Sequence, residues 1–313
     1  MAAGCQKAVK SNHRSIWYNL GTLYLFTKGD LKSIVVPQSV FAISVVFSSA
    51  GLVDTAYDFN LWCTLSRIPL MVFWLWINLL VEDISNQRLP DSIAEDIVNK
   101  PWRPIPSGRL SGEEAQQVLR TVIPVSLVIS ALLQSFEPSV TFMTLVWLYN
   151  DLDGAGAGPL QRNMLNAAAL ACFGWGALTS LSGSSKDVGC NAVLISWIAI
   201  TAAIVMTTIH AQDFPDVAGD KVRGRKTIPL VFNEAWARGT LAGLVLFWSI
   251  VCLRFWNVSS TLAWMAVLGI GVTMSLKTTL NRTQSSDKIV WKLWCFWITS
   301  VYLLPLFSTG PSF

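Results

Sequence analysis

Three carboxylates, Asp213, Asp216 and Asp220, stand at i, i+3 and i+7 in DFPDVAGDKVRGRK, residues 213–226. On a helix that spacing puts all three on one face. Cations follow at once: Lys221, Arg223, Arg225 and Lys226, broken by Gly224. Immediately before lies an uncharged apolar run, residues 190–210. Like charges gathered at the mouth of a membrane helix repel one another. A divalent cation holds such a group together, and hard oxygen ligands suit Mg²⁺, which shares its shell with phosphate oxygens and water. The plainer reading is a solvated acidic loop behind a transmembrane helix. Acids at a membrane edge are more often functional.

A second constellation occupies residues 82–115, EDISNQRLPDSIAEDIVNKPWRPIPSGRLSGEEA. It holds Asn86, Gln87, Asp91, Glu95 and Asp96, then a proline-rich turn with Lys100, Arg103 and Arg109. Gln87, Asp91 and Glu95 fall at i, i+4 and i+8, one face of a continued helix, with Pro90 as a potential kink. Two facing carboxylate clusters, each trailed by cations, make a site for a diphosphate. The acids bind Mg²⁺, the metal bridges phosphate oxygens, and Lys/Arg neutralise the remaining charge. The competing reading has Asp91, Glu95 and Asp96 merely pairing with nearby cations.

The elements that must position these groups are membrane helices. Of 313 residues, 52% are hydrophobic and 13% charged, with mean hydropathy +0.48, the balance of a polytopic membrane protein. The net charge of +4 gives no argument for nucleic acid as a partner. Six cysteines, Cys5, Cys63, Cys172, Cys190, Cys252 and Cys295, follow no disulfide or metal spacing. With His13 and His210 the only histidines, a His-ligated metal or a Ser-His-Asp triad is disfavoured. Apolar runs of spanning length recur at 36–53, 61–84, 114–134, 138–153, 163–182, 190–212, 234–255, 258–279 and 289–308. The expected fold is therefore an all-α bundle of about nine transmembrane helices. An interfacial N-terminal segment, 1–35, would precede a single membrane domain, 36–313.

Loop cations alternate in a way that fixes an orientation. The N-terminal segment, with Lys28 and Lys32, and the loops after spans two, four, six and eight hold nearly all of them, whereas the opposite loops offer little beyond Lys186 and Arg254. The positive-inside rule puts the even-numbered loops, and both acidic clusters, on the cytosolic side. A phosphate site opening into an apolar bundle implies an amphiphile with an anionic head, and a polyprenyl diphosphate fits. Ionising its allylic C–O bond leaves a carbocation and diphosphate. Metal and cations stabilise the leaving charge. Aromatic faces stabilise the cation, with Trp74, Trp76, Trp147, Trp175, Trp197, Trp264, Trp294 and Trp297 as the pool of candidates. Tyr149, in YNDLDG after span four, either extends the polar lid on the same side or belongs to an ordinary Asp/Gly turn after a helix. Asn163 and Asn166 open span five and read as helix-start polar groups.

These motifs resemble those of the UbiA superfamily of intramembrane prenyltransferases. DFPDVAGDKVRGRKTIP, with Asp213, Asp216 and Asp220, is similar to its second Asp-rich motif, and NKPWRPIPSGRLS, residues 99–111, to the segment after its first. The resemblance covers essentially the whole chain. It implies two Mg²⁺ ions, an isoprenoid diphosphate substrate, and diphosphate contacts from Lys100, Arg103 and the basic run that includes Lys221 and Arg225. The first motif departs from NDxxDxxxD: Asp96 takes the place of the last Asp, but Ser92 falls where the middle Asp belongs. The choice among Asp91, Glu95 and Asp96 as metal ligands thus stays open.

The forms NQ…ED…NKPWRPIPSGR, YNDLDG and RNMLNA resemble a fungal branch that includes membrane-bound terpene cyclases. The expectation is a Mg²⁺-dependent cyclase acting on a C15 or C20 prenyl diphosphate. The alternative is a prenyltransferase that passes the same cation to an aromatic or other acceptor. A transporter would show inverted repeats and broken midplane helices, which the sequence does not suggest. The partners expected are membrane lipid and the isoprenoid substrate, with no obligate protein partner, and the endoplasmic reticulum is the expected membrane by analogy with that branch.

Overall fold

The computed structural model describes residues 14–52, 61–184 and 191–310, and these are helical throughout apart from turns and one isolated bridge, Val258 to Ser308. The helices are α1 (Ile16–Thr27), α2 (Val36–Val46), α3 (Leu61–Gln87), α4 (Pro90–Asn99), α5 (Gly112–Leu132), α6 (Phe136–Asn150), α7 (Pro159–Ser182), α8 (Ala192–Thr208), α9 (Asp213–Arg223), α10 (Ile228–Val231), α11 (Glu234–Phe255), α12 (Thr261–Leu280) and α13 (Gln284–Tyr302). A π-helical turn, Leu31–Val35, joins α1 to α2, and a 3₁₀ turn, Ile209–Gln212, joins α8 to α9. Cys5, Lys7, Lys10, His13, Lys186 and Cys190 lie outside the described residues.

Each of the nine expected spans coincides with a helix among the described residues, but they are not equal. Six are long and apolar enough to cross a bilayer: α3, α5, α7, α8 running on into α9, α11 and α12. A seventh arises if α1 and the segment Leu31–Val46, bent by 59° from each other, count as one broken span. With 11 residues, α2 is too short alone, as is α6 with 15, and α13 carries Asp287, Lys288 and Lys292 in its first turns. The nine-fold count is thus approximate. Apolar side chains face outward as well as inward, Leu132 at 76% and Leu280 at 74% exposure among them. Such outer faces suit lipid rather than water.

The tryptophans mostly serve helix packing. Trp74, Trp197, Trp256, Trp294 and Trp297 are buried. Several indole N–H groups find hydroxyl partners on neighbouring helices: Trp74 donates to Ser130 and Ser139, Trp294 to Thr208, Trp297 to Ser249 and Trp248 to Thr207. A polar group with no water at hand must be satisfied by protein. Cys172, Cys252 and Cys295 are buried thiols within this core.

Candidate active site

Pro90 decides the geometry of the first acidic cluster. Lacking an N–H, it cannot continue α3, and it starts α4 as the second helix of a break. Gln87, Asp91 and Glu95 therefore do not share the face expected of one continued helix. Gln87 is buried and donates to the Phe26 carbonyl and to Asp83. Asp91 is exposed in the first turn of α4. Glu95 turns inward.

The second cluster keeps its predicted face. α9 begins at Asp213, with Asp213 and Asp216 in its first turn, where the helix dipole favours anions. It ends at Gly224, whose φ of 73° is the left-handed cap that glycine adopts without strain. Lys221 and Arg223 close the last turn. α4 lies directly on α9. Asn99 donates to the Asp216 carbonyl at 2.9 Å and accepts from the Gly219 N–H at 3.0 Å. A Cβ on Gly219 would lie 2.2 Å from Asn99 Nδ2 and 2.8 Å from the Glu95 carbonyl, so this approach requires glycine.

Around the α4–α9 contact one cavity collects side chains from the α1–α2 junction, α3, α6, α7 and α13 as well as from α4 and α9. Seven carboxylates line it: Asp30, Glu82, Asp83, Glu95, Asp213, Asp216 and Asp220. Four cations join them, Lys100, Arg103, Arg162 and Arg225, together with Asn86, Tyr149 and Asn166. The apolar part of the lining comes from Ile34, Leu170, Ile209, Trp291 and Trp294.

Most of these charges are paired. Lys100 Nζ meets Asp216 Oδ2 at 2.9 Å. Arg162 Nη1 donates to Asp213 Oδ1 at 2.7 Å. Arg225 lies 3.2 Å from Glu95 and 3.9 Å from Asp220. Arg103 is held by Asp96 at 2.9 and 3.0 Å, with Asp30 at 3.5 Å and Asp83 at 4.0 Å. Of the seven carboxylates, only Glu82 has no ion pair among the described residues. Burial, outweighing Arg103, pushes the Asp96 carboxyl above its ordinary range. For Lys100, burial and Arg103 act downward, but Asp216 and Asp30 outweigh them and hold its ammonium above its ordinary value.

Whether the residues fit a divalent cation can be judged from the acceptors left over. Glu82 Oε2, Asp83 Oδ2, Asp213 Oδ2 and Asp220 Oδ2 are buried and accept no hydrogen bond. All four residues line the same cavity. Buried acceptors without donors are costly, and hard carboxylate oxygens in that number suit Mg²⁺. As the side chains stand, no three His, Cys, Asp or Glu residues among those described close on a single point, because the carboxylates turn toward Lys and Arg instead.

Residues 86–301 match the UbiA prenyltransferase family. A relative at 30% identity over 92% of both chains carries the match through nearly the full length.

The chain belongs to the UbiA prenyltransferase family.

That relative is fumagillin beta-trans-bergamotene synthase af520 of Aspergillus fumigatus. Polyprenyl transferase eriF of Hericium erinaceus is 30% identical over 73% of this chain and 74% of its own length. The same fungus supplies diterpene cyclase eriG, 27% identical over 70% of this chain and 66% of its own. Among solved structures, a UbiA homolog from Archaeoglobus fulgidus bound to GPP and Mg²⁺ superposes with a TM-score of 0.59 at 14% identity, covering 90% of this chain and 99% of that one. The apo structure of a UbiA homolog from Aeropyrum pernix K1 gives 0.62 at 14% identity, covering 86% and 96%. With its six or more spanning helices, this UbiA member is an integral membrane protein.

Within this UbiA fold the expected site residues divide. The cavity brings together Asn86, Glu95, Lys100, Arg103, Tyr149, Asp213, Asp216, Asp220 and Arg225. Four residues stand elsewhere. Gln87 and Asp91 are diverted by the break at Pro90. Asp96 is buried behind the cavity as the bidentate partner of Arg103. Lys221 lies on the back of α9, in a separate groove with Arg238 and Asp287. Of the eight candidate tryptophans only Trp294 reaches the cavity wall, and Trp291, stacked on it at 5.0 Å, joins it. Sequence reasoning missed Asp30, Glu82, Asp83, Arg162 and the inward turn of Asn166. The i,i+4 spacing of Glu82 and Asn86 was a usable signal. Asp30 had none, since it reaches the site from the α1–α2 junction, where the π-turn carries Ser33 and Ile34 to the cavity as well.

Proposed function

We propose that this protein is a Mg²⁺-dependent intramembrane terpene cyclase acting on a linear prenyl diphosphate of C15 or C20 length. The observation that carries the reading is one cavity lined by both charged and apolar side chains. Carboxylates with unused oxygens and four cations share it with Ile34, Leu170, Ile209, Trp291 and Trp294. An anionic head and an apolar chain are both accommodated there. Similarity to a bergamotene synthase and a diterpene cyclase supports cyclisation, and the GPP and Mg²⁺ bound by a UbiA homolog of the same fold support the ligand pair.

In this reading Asp83, Glu95, Asp213, Asp216 and Asp220 would hold Mg²⁺, with Glu82 beside them. The metal would supply charge neutralisation for the diphosphate. The chain's own residues do the rest. Lys100, Arg103, Arg162 and Arg225 exchange carboxylate partners for diphosphate oxygens, so that leaving-group charge is met by donors already in place. Asn86 is held by Asn150 at 2.9 Å and Tyr149 stands beside it, positioned to orient the head group. The apolar wall excludes water, which would otherwise trap the cation. We place the cavity mouth on the cytosolic side of the endoplasmic reticulum membrane, following the bias of loop cations.

The test is direct: detergent-purified protein is incubated with Mg²⁺ and C10, C15 or C20 diphosphate separately, without acceptor. Products are then read by gas chromatography–mass spectrometry. A cyclic hydrocarbon or alcohol lost on chelation is the expected result. Intact substrate with every donor overturns the cyclase reading. It would favour prenyl transfer to an acceptor, the reading that similarity to polyprenyl transferase eriF supports.

A further inference from the structure

α9 stands between two cavities. Asp213, Asp216 and Asp220 line the first, and Phe214, Val217 and Lys221 line a second on its other flank. This second site is an open groove of about 660 Å³, a volume within the range of ligand sites. Its far side is built from Leu230 on α10, Glu234 and Arg238 on α11, Arg282 just before α13 and Asp287 within it. Gln284 donates to the Pro215 carbonyl at 3.0 Å, which ties α13 to α9 at the groove.

Three cations meet two carboxylates there. One cation takes both carboxylates: Arg238 binds Glu234 at 2.8 Å and Asp287 at 2.8 and 2.9 Å, with its guanidinium over the Phe214 ring. Lys221 and Arg282 are exposed, and neither has an ion pair among the described residues. An anion entering the groove therefore meets two uncompensated positive charges beside the apolar surface of Phe214, Pro215, Val217 and Leu230. Neither Glu234 nor Asp287 leaves a buried oxygen without a donor, so nothing here calls for a metal as the first cavity does. Next to the groove the surface turns apolar. Val222, Val231, Phe232 and Trp236 are exposed, and the Phe232 and Trp236 rings lie 4.8 Å apart. Trp236 is in the first turn of the spanning helix α11. Aromatic rings at the end of a spanning helix mark the headgroup layer of the bilayer, so the groove opens where lipid headgroups lie.

We propose that this groove binds an anionic membrane phospholipid, its phosphate held by Lys221 and Arg282 and its glycerol and upper acyl chains on the apolar surface. The two free cations select an anion, and the apolar lining selects an amphiphile over a soluble ion. The neighbouring aromatic rings put the site within reach of the bilayer. The cytosolic leaflet, on the side where we place these loops, holds the anionic lipids. A lipid seated here braces α9 from behind, and α9 carries three carboxylates of the first cavity.

The experiment titrates the detergent-purified whole chain with fluorescent phosphatidylserine or phosphatidylcholine carried in the same micelles. Phosphatidylserine should bind about 25-fold more tightly, about fivefold for each cation. Lys221→Gln/Arg282→Gln should remove that preference. Lys226→Gln/Lys288→Gln takes the same charge from exposed residues outside the groove and should keep it. No loss in the first double variant, or equal loss in both, overturns the proposal. So does competition by glycerol phosphate at the concentrations at which the lipid binds, because a soluble anion would then be the ligand. Should the first double variant not fold, Lys221→Gln alone is read by the same titration and should lose about fivefold. None of these readings requires turnover, so their failure is distinct from failure of the cyclase reading.

Discussion

The Arg162–Asp213 pair separates what holds the site together from what the site does. The two side chains are 5% and 1% exposed, and Nη1 lies 2.7 Å from Oδ1. At an effective dielectric of about 20 the gross attraction at that distance is about 6 kcal/mol, much of it offset by desolvation of both ions. Removing one partner leaves the other charge buried and unmatched, at about 3–5 kcal/mol. Arg162→Met and Asp213→Asn should each destabilise the protein, the first more strongly because Asp213 then loses its cation while still facing other carboxylates. The double variant should regain most of the loss. Activity should behave differently. Asp213→Asn removes a carboxylate whose Oδ2 is unused by the protein, and single-turnover diphosphate release should fall about 10²–10³-fold, the scale of losing one preorganised electrostatic group. The double variant should be as slow, although stable. The assay is thermal unfolding in detergent beside single-turnover release at saturating Mg²⁺. Wild-type release from a folded Asp213→Asn protein, or recovery of activity in the double variant, would refute the assignment of Asp213 to the reaction.

Other positions give sharper structural readouts. Gly219→Ala should cost about 1–3 kcal/mol by overpacking and cut activity by forcing α4 off α9, whereas Gly239→Ala, where a Cβ meets no described atom within 4 Å, should do neither; comparing their activity and unfolding decides this. Arg238 binds Asp287 in bidentate fashion at 2.8 and 2.9 Å, and also Glu234 and the Thr278 carbonyl. Its guanidinium covers the Phe214 ring at 4.4 Å, so Arg238→Met should lower thermal stability by about 3–5 kcal/mol, with Asp287→Leu added to it restoring much of the loss. Asp83→Asn should abolish Mg²⁺-dependent binding of an unreactive prenyl diphosphate analogue, measured by calorimetry, while Asp91→Asn leaves binding within about twofold, as expected of an exposed residue without contacts to the site. Chelation of Mg²⁺ should weaken binding of the same analogue by at least about tenfold.

Local spacing carried the parts of this protein that a single helix can encode. Asp213, Asp216 and Asp220 share a face because 3.6 residues complete a turn, whatever lies around them. The apolar runs announced a helical bundle for the same reason: in lipid a backbone can satisfy its hydrogen bonds within one segment only as a helix. The basic and acidic character of the site was legible too, since its charges cluster at the ends of those runs. The ligand set on the first motif was not, because the break at Pro90 turned Asp91 outward and committed Asp96 to Arg103. Arg162 and Asp213 are 51 positions apart, and Asp30 meets Arg103 across more than a dozen helical turns of intervening chain. No spacing rule links such residues. Only the packing of α1, α3, α4, α7 and α9 around one cavity decides which carboxylate meets which cation, and which acceptors are left for a metal, because buried charge settles where its nearest compensating partner lies.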